Sequence, residues 1–343
     1  MIKSIIQEGF VLKTKGYYKN AIEAFYRALS IDNSSLELLL EIAECYYILK
    51  DEERALSYIE QILEKKPTHI ESLKLLKQIF YDKKAWNEAE QTAVNIYSIT
   101  KKEEDFIEVL KILIKKQAYY EIINLGFLHD SSEVFYYNAL AKFYLNELLD
   151  AMQFINQSIE KNKNKENLLL KSKILFKLDE VDECVQIINN LSLENFDAEA
   201  LNFIGLVRQY ECNYEEAIKL FKQAIQLDSK KDEVFYNLAS TYFKNNEKSL
   251  AKKFYNLAIT LAPENQNYHL ALANLYYSEK QYRRALEELK YDFFEANLLK
   301  SIILYDSGYL TLARNGFNEL LKEQPQNELI LSYKSQIEEK LKI

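Results

Sequence analysis

The chain has 343 residues, of which only 6 are Gly and 3 are Pro, so it holds little material for strand turns or long loops and is expected to be all-α. Its 44 Lys and Arg against 52 Asp and Glu leave a formal net charge of −8, which argues against a nucleic-acid partner because phosphate binding needs a basic stripe. No run of about 18 apolar residues occurs, so no membrane span is predicted.

A first helix pair is expected over residues 2–35. Gly9 falls in its first helix and Ala21 in its second, and Ala21 is followed by Phe25 and Ala28 at i+4 and i+7, which lie on one helical face. The same set returns over residues 36–69 as Ala43, Ala55, Ile59 and Ile62, and Ala89 extends the interval of 34 residues. Where two antiparallel helices pack most closely only a methyl group fits, so a small residue recurs there. Ile31-Asp32 and Lys66-Pro67 each stop a second helix. An interval of 34 residues is the length of one helix-turn-helix unit, and a stack of such units is a solenoid.

Residues 70–132 read as an irregular stretch. Lys77 and Lys111 stand where a small residue lets helices touch, Ile123 takes the Ala place, and the next interval, to Ala151, contracts to 28. The segment Gly126–Ser132 is a candidate kink, or else the unit diverges with no change of direction. Residues 133–197 hold two further units with Ala151 and Cys184 in the small place, and Lys161–Lys165 reads as a solvated basic connector. Regular copies return over 198–293: Gly205, Tyr214, Ala217, Phe221 and Ala224, then Leu238, Ala239, Tyr242, Ala251, Tyr255, Ala258 and Pro263, then Ala273, Tyr276, Ala285 and Leu289. The interval from Ala285 to Ala313 contracts again to 28, placing a final unit at 294–325 that closes at Pro325. Residues 326–343 form one amphipathic helix, with Leu329, Tyr333, Ile337 and Leu341 expected on a common face in the role of a cap.

Small and aromatic residues in a first helix, A-x3-F in a second and a closing Pro resemble the tetratricopeptide repeat, in about ten units over nearly the whole chain. The resemblance implies a right-handed α-solenoid superhelix of antiparallel helix pairs. It also implies a concave groove, lined by the first helices, that takes peptide segments of other proteins. The residue after the Tyr/Leu core place is often aromatic, as in Tyr47, Tyr81, Phe176, Phe243, Tyr277 and Tyr305, and a turn of about 100° aims it toward that groove. These six, with Asn202, Asn237 and Asn274, are the candidate peptide-binding residues. The alternative is that the rings lie against the next first helix and meet no ligand.

Glu37, Glu71, Asp105, Glu166, Glu199, Glu233 and Glu295 open the first helices. Each offsets the positive end of a helix dipole by about 0.3–1 kcal/mol, and together they edge the groove with negative charge, favouring a segment with basic flanks. The family's carboxylate clamp for acidic chaperone tails ending in EEVD uses Lys, Asn and Arg on successive first helices. The matching places here read Asn202, Leu206, Asn237, Asn267 and Ala271, and in the 2–103 block Ile6, Phe10, Glu41, Glu71 and Leu75. Only Asn237 fits, so no chaperone EEVD tail is expected as partner.

His69, His129 and His269 lie far apart, Cys45, Cys184 and Cys212 form no CxxC, and no phosphate-loop or nucleophile-elbow motif occurs. No enzyme activity, cofactor or metal is therefore expected. An early Glu8 disfavours a secretory segment and the location is expected to be cytoplasmic; richness in Lys, Ile, Asn and Tyr suggests an AT-rich, bacterial genome. The expected function is a non-enzymatic protein-interaction scaffold or adaptor. The alternative is a regulatory peptide-sensing receptor that acts by binding or releasing a second protein. Oligomeric state is left open.

Overall fold

A computed structural model of the chain describes residues 2–126, 128–192 and 194–341. Among the described residues there are 21 α-helices and no strand. Successive pairs are α1 (Ile2–Thr14) with α2 (Tyr18–Leu29), α3 (Leu36–Ile48) with α4 (Glu52–Lys65), and α5 (Ile70–Asp82) with α6 (Trp86–Thr100). Next come α7 (Glu103–Lys116) with α8 (Tyr119–Leu125), α9 (Ser132–Tyr144) with α10 (Leu148–Lys161), and α11 (Lys165–Lys177) with α12 (Val181–Asn189). They continue as α13 (Ala198–Tyr210) with α14 (Tyr214–Leu227), α15 (Asp232–Lys244) with α16 (Lys248–Leu261), and α17 (Gln266–Ser278) with α18 (Tyr282–Glu288). The last pair is α19 (Phe294–Asp306) with α20 (Leu310–Glu323), followed by α21 (Glu328–Leu341). The chain divides into two compact units, Met1–Ile187 and Ile188–Ile343. Within each, a helix packs substantially only on helices one or two places away in chain order, which is the packing of an α-solenoid.

Every pair turns on the same elbow. One residue in the left-handed region follows each first helix: Gly16, Lys50, Lys84, Gln117, Asn146, Asp179, Cys212, Asn246, Lys280 and Gly308, with φ between 57° and 84°. Its N–H and that of the next residue turn back onto the helix end, as in Lys50 N–H to Tyr47 O at 3.0 Å and Asp51 N–H to Tyr46 O at 2.9 Å. This double closure satisfies carbonyls that the helix end would otherwise leave open.

The expected small places are closed. Ala21, Ala55, Ala89, Ala151, Cys184, Ala217, Ala251, Ala285 and Ala313 are all fully buried. A Cβ added to Gly205 would stand 2.7 Å from the Phe221 ring, and one on Gly9 would stand 2.5 Å from the Phe25 ring, so in these two pairs the first helix carries Gly where it faces a Phe of the second.

Three places differ from the sequence reading. The elbows step by 33 and then 29 residues around Gln117, and Ile122, not Ile123, is the fully buried residue in α8. The register thus slips by one, Leu110 takes the buried place twelve residues earlier, and Lys111 turns to solvent instead of intruding. Lys77 does sit in the close-approach place: its stem is half-buried and its ammonium pairs with Glu108 at 2.7 Å, which carries the charge clear of the core. In α21, Ile330 and Ile337 are buried with Tyr333 packed beside them, whereas Leu329 and Leu341 are exposed, so the inward face is rotated by one residue at its start.

The two contractions are shortened second helices. Both α8 and α18 have 7 residues where α14 and α16 have 14. Gly126 ends α8 with φ 62° and ψ −155°, a conformation open essentially only to Gly. Of the expected kink at Gly126–Ser132, Phe127 lies outside the described residues.

Candidate peptide-binding site

The six aromatic candidates occupy one place in the fold, the penultimate residue of a first helix. Each lends its backbone oxygen to the left-handed elbow residue three positions on, from Tyr47 to Lys50 through to Tyr305 to Gly308. All six side chains are half-buried. Their hydroxyls reach forward to the next first helix: Tyr47 donates to Asp82 at 2.5 Å, Tyr277 to Asp306 at 2.6 Å and Tyr305 to Gln336 at 2.8 Å. The Asp82 carboxylate beside it pushes the Tyr47 hydroxyl up to about 12. Burial, followed by the Asp306 carboxylate, raises that of Tyr277. Tyr81 meets Trp86 edge-on at 5.2 Å. Three of the six thus bond to the next unit of the stack, and Tyr81 packs within its own pair.

The asparagines gather elsewhere. A groove of about 560 Å³ opens between the first halves of α15 and α17, lined by Asp232, Glu233, Tyr236 and Asn237 on one side. Asn265, Asn267, Tyr268, Leu270, Ala271 and Asn274 line the other. Asn237 and Asn274 thus come together, and Asn202 stands behind, its side-chain oxygen accepting from Asn237 at 2.9 Å. Phe243 and Tyr277 sit at the far ends of the same helices and do not line the groove.

The groove's floor is fixed by its own bonds. Tyr236 and Tyr268 stack at 4.9 Å, and the Tyr268 hydroxyl donates to Asp232 at 2.7 Å. Burial and then that carboxylate hold the Tyr268 hydroxyl above its ordinary range, so it stays a neutral donor. Behind them the α13–α15 seam is closed by Gln209, which donates to Thr241 at 2.7 Å and accepts from Lys244 at 2.9 Å. What lines the groove is a row of amides, of which Asn237 donates to Asn202, Asn274 to the Leu270 carbonyl and Asn265 accepts from the Asn267 N–H, each keeping further donor and acceptor capacity, beside Asp232 and Glu233 with no basic residue among those lining it. Such a surface can hydrogen-bond a peptide main chain and attract a cation.

Sequence reasoning passed over Asp232, Tyr236 and Tyr268. Tyr236 stands three residues before the close-approach Ala239 and Tyr268 five before Ala273, so they hold different places in the repeat and no shared period marks them. The acidic openers do lie in the first turns of α3, α5, α7, α11, α13, α15 and α19. Asp105 alone among them is buried, held by the Thr100 hydroxyl at 2.6 Å.

The histidines serve local ends: His69 caps α5, His129 bonds Tyr97 at 3.0 Å, and His269 bridges Glu288 and the Pro263 carbonyl. Among the described residues no cluster of three or more His, Cys, Asp or Glu could hold a metal, and no helix is long and apolar enough to cross a membrane.

Known proteins agree with this architecture. A tetratricopeptide repeat profile matches residues 14–79 and 211–275. Tetratricopeptide repeat protein 8 of Caenorhabditis elegans is 25% identical over 207 residues, which cover 57% of this chain and 41% of the relative. The chain thus spans about two fifths of that relative's length. Among solved structures, a chain of the APC/C hetero-tetramer Cut9–Hcn1 superposes with a TM-score of 0.61 at 13% identity, covering 98% of this chain and 76% of that one. Pseudomonas aeruginosa pilF superposes with a TM-score of 0.50 at 17% identity, covering 60% of this chain and 97% of that one. With ten uniform elbows, a closed buried place in each pair and these matches, the chain is an α-solenoid that resembles the tetratricopeptide repeat proteins, a class whose members generally bind other proteins.

Proposed function

We propose that the chain is a scaffold or adaptor that grips a segment of a partner protein in the groove between α15 and α17. The observation that carries this reading is the chemistry of the groove: Asn237, Asn265, Asn267 and Asn274 beside Asp232 and Glu233, on a floor of stacked tyrosines. The amides suit an extended main chain, because each can donate to a carbonyl and accept from an N–H. The carboxylates select a segment with a Lys or Arg beside the apolar residue that rests on Tyr236, and they disfavour an acidic EEVD tail. The half-buried Tyr47, Tyr81, Phe176, Phe243, Tyr277 and Tyr305 stiffen the stack in this reading and offer only their outer edges to a ligand.

The reading is tested by affinity purification of the intact chain beside two variants, Asn267→Ala/Asn274→Ala and Glu233→Lys, with quantitative mass spectrometry. One protein should be depleted on both variants, and its retention on the wild type should fall as salt is raised. Identical protein profiles from all three chains would remove the groove from consideration.

A further inference from the structure

Two regular parts of the chain cover the same three places in the same way. In the α3–α4 pair these places hold Leu39, Tyr46 and Tyr58, the two rings stacked at 5.9 Å. The preceding second helix, α2, closes over them: the Tyr26 hydroxyl bonds those of Tyr46 and Tyr58 at 2.9 and 2.6 Å, and Leu29 packs with Leu39. In the α15–α16 pair the places hold Phe235, Tyr242 and Phe254, with Phe254 stacked on both others at 6.5 and 5.5 Å. Here α14 closes over them, with the Lys222 ammonium 5.8 Å above the Tyr242 ring and Ile225 packed against the Phe235 cluster. In both cases the cover is a pair of residues three apart, on the second half of the helix before.

The α19–α20 pair lacks both the rings and the cover. Counted from Ala313, the three places hold Asn297, Leu304 and Gly316. The covering pair would fall at residues 290 and 293, but α18 stops at Glu288 and both lie in the connector. A notch of about 590 Å³ remains, with Asn297, Leu304 and Gly316 inside and Asp292, Glu319 and Glu323 around it; Lys300 is the one cation lining it, and Lys322 beside it pairs with Glu319 at 2.6 Å. Asp292 is fixed in position by the Asn297 amide at 2.7 Å.

We infer that this notch is a docking site for a short amphipathic helix of a partner protein, seated where the second half of α18 would lie. The helix carries a Lys or Arg and, three residues later, a large apolar side chain. The spacing follows Tyr26/Leu29 and Lys222/Ile225, and the cation answers the surplus of three carboxylates over two ammoniums, Lys300 and the Lys322 paired with Glu319. The apolar residue is larger than Leu or Ile, because Gly316 and Asn297 stand where the α15–α16 pair has two Phe rings; the Ser301 hydroxyl fills the place of a Gly316 Cβ, and the rest of that space belongs to the notch. This site lies apart from the groove between α15 and α17 and does not depend on it.

The test uses the intact chain and a labelled synthetic peptide with the sequence of residues 214–227 carrying the change Ile225→Phe, followed by fluorescence anisotropy. The peptide should bind saturably. Asn297→Phe, which restores the ring of the regular pair, should weaken it at least about tenfold, and Glu319→Lys/Glu323→Lys should weaken it about threefold or more at low salt. Leu304→Trp blocks the notch from its other wall and decides the matter if Asn297→Phe loses its helical circular dichroism. The Asn267→Ala/Asn274→Ala chain should bind the peptide as the wild type does. Undiminished binding by the notch-filled variants, or no saturation by about 1 mM peptide, overturns the proposal. So does self-association of the wild type that Asn297→Phe abolishes without any peptide binding, which would make the occupant a second copy of this chain.

Discussion

At the level of single residues, the elbows impose a cost that the chain meets with mostly non-glycine residues. A residue with a Cβ in the left-handed region costs on the order of 1 kcal/mol relative to Gly, yet only Gly16 and Gly308 of the ten elbow residues avoid it. Lys50→Gly and Lys84→Gly should therefore each raise the unfolding free energy read from urea titration, by up to about 1 kcal/mol, and Gly308→Ala should lower it by a similar amount. A fall in stability for both Lys variants would mean that their side chains contribute more than the backbone strain they bear. The cysteines divide by the same kind of local argument. Cys45 is fully buried in α3, where burial pushes its thiol up to about 11, while Cys212 sits at an exposed elbow. Alkylation of the native protein near neutral pH should label Cys212 and spare Cys45 until the chain is unfolded, as mass spectrometry of the tryptic peptides would report.

At the level of helices, the decisive quantity is the gap between a first helix and its partner. Gly205→Ala puts a methyl 2.7 Å from a Phe221 ring that is fully buried and has nowhere to move, so it should destabilise by about 1–3 kcal/mol. Combining it with Phe221→Leu should cost less than the two changes summed, since the smaller side chain admits the methyl. Charge acts where α7 meets α5. Desolvation opposes ionisation of Glu108, but hydrogen bonds from Lys111 and Lys77 outweigh it and hold the carboxyl below its usual range. A depressed folded-state value gives stability that is present above the unfolded value and is lost as pH falls through the folded one. Glu108→Gln should thus lower the urea midpoint near pH 7 and shrink its drop on acidification; an unchanged acid limb would remove this pair from the account. These element-scale features were unevenly legible in the sequence. Ala and Gly at a fixed interval announce close approach, because no other residue fits. The slip at Ile122 was hidden because Ile123 beside it is chemically the same, and half the elbows were hidden because Lys, Gln and Cys, unlike Gly16, Asn146, Asp179, Asn246 and Gly308, carry no mark of a left-handed backbone. Of the candidate residues, Asn237 and Asn274 line the groove between α15 and α17, whereas Phe243 and Tyr277 lie at the other ends of its helices, because a pattern of residue types shows a face and not which end of it is open.

At the level of the whole molecule, the same α-solenoid is reached by chains with little sequence in common: one covering 98% of this chain is only 13% identical. The stack asks only for a size class at a few places per unit and leaves the rest of each helix free to vary, which is where binding surfaces differ. A structure held by contacts between neighbours should also fail locally. Phe221 is fully buried in α14, and Phe221→Ala should cost about 3–5 kcal/mol. Because substantial packing reaches only one or two helices along the chain, that loss should fall on the surrounding pairs. Hydrogen exchange followed by mass spectrometry should then show faster exchange across α13–α16, with α1–α4 exchanging as in the wild type. Equal acceleration over all helices would instead mean that the chain unfolds as one cooperative body, and the nearest-neighbour account of its stability would have to be given up.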